Sequence, residues 1–338
     1  MAIGISGYAV YIPRLRIKKE DYAKAWGSFS AAGVSEKSVM GFDEDVLTAA
    51  AKVSKRALES VPTTPDKITR FALASTTPPY VEKLLSGTVM VSIGIPGHVF
   101  SSDHSSSTRA GTEALISGFE HIMANPKGMA LVAAADSPMA SMWDSIEHPL
   151  GAGSAAYVLS GENLIAELEG HASFAGEHFG ERFKPRDDEM IHDLNVKKFS
   201  ESSLITNTTK SASALLKKLG RTPEVYNHVV IQQPDARVPA SVGGKLKFAE
   251  PQLAAALTAN VLGDLGAAST PVSLAAALDV ANVGDKIMVI SYGSGAGSDA
   301  LSFRVVSDRK PAIKFKQEVD RKEYIDYIKY LKLKGAIL

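Results

Sequence analysis

The sequence predicts an α/β protein made of two duplicated halves, each a mixed sheet with helices on both faces. Three recurrences predict it. The run Phe71-Ala72-Leu73-Ala74-Ser75 is matched 158 positions later by Val229-Val230-Ile231-Gln232-Gln233, and Met129-Ala130-Leu131-Val132-Ala133 by Ile287-Met288-Val289-Ile290-Ser291 at the same step. A small-residue turn opening a helix, Ser107-Thr108, is matched by Ser269-Thr270, 162 positions on. Short apolar runs closed by turn residues read as fully buried strands. Three near-equal offsets favour duplication over a chance likeness of Ala-rich segments.

Taken in order, the first half reads as a buried strand at 71–75, a small-residue turn at 106–109, an Ala/Leu-rich helix at 114–123, and strands at 129–133 and 155–160. The second half repeats this with a strand at 229–233, a turn at 269–270, a helix at 274–283 and a strand at 287–291. Such a pattern asks for two layered α/β units. The boundary is placed between them at 165/166, giving halves 1–165 and 166–338. The charged segment 177–203 is expected to be a cap loop of the second half, and no low-complexity linker separates the halves.

Composition narrows the function. The chain has 338 residues, no cysteine, 45% hydrophobic residues and 37 charges of each sign. Zero net charge argues against a nucleic-acid-binding surface. Absence of cysteine excludes disulfides, thiolate metal sites and thiol nucleophiles together. The eight histidines show no metal spacing on one helix face, so no metal site is expected. No segment reads as a signal peptide or as a membrane span, and the expected address is cytoplasmic.

The glycine-rich stretch Val289-Ile290-Ser291-Tyr292-Gly293-Ser294-Gly295-Ala296-Gly297-Ser298-Asp299-Ala300 follows a buried strand and lacks the G-x-x-x-x-G-K spacing of a phosphate loop. Gly293, Gly295 and Gly297 read either as a pocket floor offering N–H groups to an oxyanion or as a tight structural turn. This stretch, the opening Gly7-Tyr8-Ala9-Val10-Tyr11-Ile12-Pro13-Arg14, and the turn Thr108-Arg109-Ala110-Gly111-Thr112 resemble the thiolase superfamily, closest to archaeal and bacterial 3-hydroxy-3-methylglutaryl-CoA synthases. The resemblance runs nearly end to end. It implies the thiolase fold, with the halves in a five-layer αβαβα arrangement, and a coenzyme A thioester as non-covalent ligand.

The resemblance also implies what is missing. The synthases carry Cys-Lys-Ala-Gly-Thr in the turn, which puts Thr108 where the acyl-accepting cysteine would be. Their general acid/base glutamate aligns with Thr76, their acceptor-site histidine with Gln232, and an acceptor-site asparagine with Asp264. These four changes remove a thiolate, a carboxylate acid/base, an imidazole and an amide. The chain is therefore expected to be a non-catalytic, synthase-like subunit. A second resemblance, to the cysteine-free synthase-like subunit of phloroglucinol C-acetyltransferase complexes, rests on Gln232-Gln233, Gly263-Asp264 and the stretch 182–187. It implies a cysteine-bearing thiolase-type subunit and a small zinc-ribbon/OB-fold protein as partners, and a dimer-forming fold.

Two active readings stay open beside that one. Cysteine-independent aldol chemistry would use Tyr80, His104, Asp264 or Tyr292 as acid/base groups. Condensation or hydrolysis through Thr108 would need His104 as its base, against the plainer reading of Ser106, Ser107 or Thr108 as a helix N-cap. Arg182, Lys184 and Arg186 are candidates for a CoA phosphate contact or a solvated loop. Asp136, Asp144 and His148 read as loop residues near the pocket.

Overall fold

Strands and helices alternate along the computed structural model, which describes residues 2–176, 182–193 and 197–337. The first half runs β1 (Gly4–Tyr11), β2 (Leu15–Lys18), α1 (Lys19–Trp26), β3 (Glu36–Val39), α2 (Val46–Glu59), β4 (Ile68–Ala74), α3 (Leu85–Ser92), β5 (Phe100–His104), α4 (Ala110–Ala124), β6 (Met129–Asp136) and β7 (Gly153–Ser160). The second continues with β8 (Ala166–Ala175), α5 (Lys197–Leu219), β9 (His228–Ile231), α6 (Val238–Leu246), α7 (Glu250–Ala254), α8 (Ala259–Leu262), α9 (Ser269–Val280), β10 (Lys286–Ile290) and β11 (Gly297–Val305). The tail adds α10 (Phe315–Asp320), β12 (Glu323–Tyr324) and α11 (Tyr327–Leu333). Local signals set several boundaries. Asp45 caps α2 by accepting from Thr48 N at 2.7 Å while the Thr48 hydroxyl accepts from Asp45 N, a reciprocal box that satisfies two otherwise orphaned donors.

Among the described residues, nine strands join in the order β5-β4-β6-β7-β1-β8-β11-β10-β9. Read inward from either end, the construction repeats. β4 is parallel to β6, β6 antiparallel to β7, and β7 antiparallel to β1; likewise β9 is parallel to β10, β10 antiparallel to β11, and β11 antiparallel to β8. The halves touch where β1 meets β8 over Gly4↔Glu167 and Ile5↔Ala166. Glycine is required there, because a Cβ on Gly4 would overlap the Ala166 carbonyl.

The two-residue period of the strands sorts side chains into separate cores. Ala130, Val132 and Ala134 of β6 and Ile287 and Val289 of β10 face a shared core with α4 and α9. Leu131, Ala133 and Ala135 face outward onto α2 and α3. Met288 and Ile290 face outward onto α5 and α6. The result is five layers, with α4 and α9 as the central helix layer. Those helices approach closely: a Cβ on Gly111 of α4 would strike the Ala267 carbonyl and the Pro271 ring.

One sequence expectation needs correction. The cap loop expected over 177–203 is helical from Lys197 onward, where α5 begins; residues 177–181 and 194–196 of that expectation lie outside the described residues. No helix among the described residues is long and apolar enough to cross a membrane.

A smaller sheet, β12-β2-β3, carries the tail against the first half. Beneath it lies a buried polar cluster. Lys37 Nζ of β3 pairs with Glu147 Oε1 at 2.7 Å, with both side chains only 1% exposed. Tyr22 of α1 donates to Glu147 Oε2 at 2.7 Å, and Tyr330 of α11 donates to Oε1. Both tyrosine rings lie within 4.8 Å of the ammonium. Burial lowers Lys37 to about 8, with Glu147 pulling the other way. One carboxylate therefore ties four separate segments together beside the cavity described next.

Candidate functional site

A cavity of about 620 Å³ opens between the halves. Its lining comes from turns at the carboxyl ends of β5, β9 and β10, the region where open α/β sheets place their ligands. Thr108, Gln232, Asp264, Arg182 and Tyr292 all line it, so five of the sequence candidates converge. Leu204 and Ile205 of α5, Val238 of α6, and Ile146, Pro149 and Leu150 supply its apolar wall. A mostly apolar cavity with a few converging polar groups is the usual form of a small-molecule site.

Thr108 sits in the turn between β5 and α4. Its hydroxyl donates to the Tyr292 carbonyl at 2.8 Å, bridging the two halves. The expected N-cap role is corrected here: Arg109 is the N-cap, in helical geometry, and no side chain caps α4. The Thr108–His104 couple is also corrected. His104 Nε2 bonds Ser102 at 3.1 Å, and its ring lines a separate pocket of about 80 Å³ together with Tyr80. Burial, then the Arg70 charge, lowers the proton affinity of His104. Of the acid/base candidates, Asp264 and Tyr292 alone share the large cavity with Thr108.

Two of the three glycines of the run bond to each other across the turn. Gly293 N donates to the Gly297 carbonyl at 2.9 Å and Gly297 N returns the bond at 3.1 Å, closing a tight turn between β10 and β11. Those two N–H groups are thus used within the turn rather than offered to an oxyanion. Absence of Cβ matters because one on Gly293 would meet Ser107 and Arg109, and one on Gly297 would meet Arg109 Nη1 at 2.8 Å. Gly295, at φ +80, takes the left-handed backbone that glycine favours.

Gln232 is fixed at both ends of its amide. Nε2 donates to the Gly266 carbonyl at 3.2 Å, and Oε1 accepts from Thr270 at 2.6 Å. Asp264 is buried and held by its own main chain, which pairs with Pro149 and Gly151. Its Oδ1 accepts from Gly266 N at 2.9 Å and its Oδ2 from Arg182 Nη1 at 2.7 Å. Burial raises its proton affinity, while Arg182 and the Gly266 N–H pull the other way. Lys184 Nζ donates to the Thr76 carbonyl at 2.9 Å. Arg182 and Lys184, expected as phosphate contacts or loop charges, therefore fasten the segment after β8 across the site; Arg186 is exposed beside them.

Thr76 is bonded to Asp136, a residue the sequence reading left as a loop position. Asp136 is fully buried and accepts from Thr76 N, Thr76 Oγ1, Thr77 Oγ1 and Ala267 N, joining the ends of β4 and β6 to the start of α9. Its place at the carboxyl end of a parallel strand was the signal that could have found it. Tyr292 lines the cavity, and its hydroxyl pairs with the buried Ser203 at 2.7 Å, a partner the sequence did not indicate. Asp144 accepts from Ile146 N, and His148 Nδ1 accepts from Ser30 N at 2.8 Å; both stabilise loops. Among the described residues no cluster of His, Asp or Glu could hold a metal ion.

Five layers, a duplicated sheet and a cavity between the halves place this protein in the thiolase class. Solved structures share that fold: an HMG-CoA synthase complexed with CoA has a TM-score of 0.88 at 19% identity over 98% of this chain and 90% of its own. PksG, an HMG-CoA synthase from Bacillus subtilis, gives 0.88 at 17% identity over 99% and 89%. The curacin-pathway HMG synthase in complex with holo donor-ACP gives 0.87 at 19% identity over 98% and 88%. No family model matches the chain. Curated relatives are nearer in sequence. The hydroxymethylglutaryl-CoA synthase of Methanobrevibacter smithii is 31% identical over 99% of both chains, and that of Thermococcus kodakarensis is 32% identical over 99% of this chain and 97% of its own. The chain belongs to the hydroxymethylglutaryl-CoA synthase family, and it does so without a cysteine anywhere. It therefore cannot form the acyl-cysteine on which that synthesis depends.

The partner expectation is overturned. The structural neighbour seen with a protein partner, the curacin-pathway HMG synthase, is in complex with a donor acyl carrier protein. The thiolase-type subunit and zinc-ribbon/OB-fold protein are set aside accordingly.

Proposed function

We propose that this protein binds a pantetheine thioester in the cavity without capturing its acyl group, and serves as a non-condensing component of an acyl-transfer assembly. The observation that carries the reading is the pairing of a retained cavity of about 620 Å³ with an unreactive group at its turn. We take Thr108 to stand at the lost cysteine's position. Its hydroxyl proton is already committed to the Tyr292 carbonyl, and no base among its bonded neighbours can take it. A threonine hydroxyl needs an adjacent base to attack a thioester. Neighbours of this fold were solved with CoA, 3-hydroxy-3-methylglutaryl-CoA and carrier proteins, so the thioester is carried either on CoA or on a carrier protein.

Titration calorimetry with CoA, acetyl-CoA and a holo carrier protein, alongside intact-mass analysis, tests this. Expected are saturable binding of at least one pantetheine species and no acyl adduct. An acyl adduct lost in Thr108→Ala would replace this reading with catalysis through Thr108. Absence of binding to all three would remove the reading.

A further inference from the structure

We infer that the C-terminal helix α11 positions the cavity wall: through the Tyr330 phenol and the buried Glu147, docking of the tail and binding of the thioester are coupled. This rests on the thioester-binding reading above and adds a positioning residue to that same site.

Two neighbouring stretches of the first half line the cavity: Ser30 to Ala32 and, around a short helical turn, Ser145, Ile146, Pro149 and Leu150. Glu147 lies in the middle of the second stretch, 1% exposed, and is not itself a lining residue. Both its main chain and its side chain are held. Its carbonyl accepts from Leu150 N at 3.0 Å and from Lys37 Nζ at 2.9 Å. Its carboxylate is shared among Lys37, Tyr22 and Tyr330. The first stretch hangs on the same point: Ser30 N donates to His148 Nδ1 at 2.8 Å, and Phe29 stacks on the His148 ring at 5.4 Å. Tyr22 closes the group, its ring 5.1 Å from His148 and 5.7 Å from Tyr330. Beyond the turn, the Pro149 carbonyl accepts from Asp264 N at 2.6 Å. A shift of Glu147 therefore reaches both lining stretches and the carboxylate in the cavity.

Helix α11 supplies one of the three donors to Glu147 yet contributes no described lining residue. A helix of seven residues is too short to persist alone in water. Its order comes from docking. β12 pairs with β2 at Glu323↔Leu15 and Tyr324↔Arg16, Asp326 accepts from Lys329 N at 2.7 Å, and Tyr330 is fully buried. Such a segment opens more readily than the sheet beneath it. A thioester that needs the ordered wall binds the docked state better, and by reciprocity it holds the tail down by the same factor.

Amide exchange read by mass spectrometry on the full chain, with and without saturating CoA or acetyl-CoA, tests the coupling on the unmodified protein. Bound ligand is expected to slow exchange across Tyr327–Leu333, which lies outside the cavity lining. In Tyr330→Phe, which keeps the ring and removes the hydroxyl, exchange at Ser145–Glu147 should quicken, and calorimetry should show affinity about three- to tenfold weaker. Tyr324→Phe is the control. It removes a tail hydroxyl that donates to Glu36 Oε2 at 2.7 Å, and it should keep the parent's affinity. Ligand binding with α11 exchange unchanged overturns the inference, as does parental affinity in Tyr330→Phe or an equal loss in both phenol variants. If neither CoA nor acetyl-CoA binds the unmodified protein, the inference falls; the thioester reading falls only when a holo carrier protein fails to bind as well.

Discussion

Replacing Lys37 by methionine removes the ammonium while leaving Glu147 buried, and the consequence can be worked from the cluster's geometry. At 2.7 Å the pair attracts by about 6 kcal/mol with an effective dielectric near 20. Desolvating two ions costs several kcal/mol each, so the intact pair is close to neutral for stability. Removing one partner is different, because Glu147 then keeps only the Tyr22 and Tyr330 hydroxyls; the expected loss is about 3–5 kcal/mol. For a chain of this size that lowers Tm by roughly 4–7 °C. Lys37→Met/Glu147→Gln should recover much of it, since no uncompensated charge remains. The cluster also has a pH signature. Lys37 is lowered to about 8 from 10.5, so above pH 8 the folded chain has released a proton that the unfolded chain still holds. Stability from this group therefore rises with pH from about 8 toward 10. Beyond that, Tyr22 and Tyr330, held neutral by burial, oppose it, because the unfolded phenols ionise first. Urea unfolding at pH 7.5, 8.5 and 9.5 should show the rise in the parent difference curve and its absence in Lys37→Met. A Lys37→Met protein as stable as its parent at pH 7.5, or one that keeps the rise, would refute the reasoning.

Other predictions follow from the site and the central layer. Because the chain has no cysteine, Thr108→Cys carries a single thiol; a small alkylating reagent should modify it, and CoA should slow that labelling several-fold. Gly111→Ala drives a methyl group into the Ala267 carbonyl and Pro271 between the central helices, costing about 1–3 kcal/mol by thermal unfolding. Asp136→Asn turns one acceptor oxygen into a donor facing Thr76, Thr77 and Ala267 N–H or O–H groups, with an expected loss of about 3 kcal/mol in urea. Equal stability in either variant would show that the respective contact relaxes freely.

The fold was legible where burial on both faces writes a continuous apolar run, as in β6 and β10, and where the halves repeat. It was not legible at β8, whose Glu167, Glu169, His171 and Ser173 alternate with small or apolar residues, or at β5, a polar edge strand. Neither produces an apolar run, and each is held by its neighbours' ladders. Thr108, Gln232, Asp264 and Tyr292, singled out separately in the sequence, all line one cavity. Their partners were not legible, because Arg182 is 82 residues from Asp264 and Thr108 is 184 from Tyr292. Local pattern carries no information about such meetings. His104 and Tyr80 line a different pocket from Thr108, although His104 is only four residues from it in sequence.

The place of β1 in the sheet has a consequence for how the chain is made. This strand leads the sequence, is buried along its length, and is flanked by β7 and β8. Its partners are Tyr157 and its neighbours on one side and Ala166 and Glu167 on the other. On a ribosome adding about 5–20 residues per second, the first strand waits roughly 8–35 seconds for both partners. Throughout that interval an apolar strand with two open edges is exposed to other nascent chains. Production in cells should thus depend on holdase chaperones more strongly than final stability would suggest.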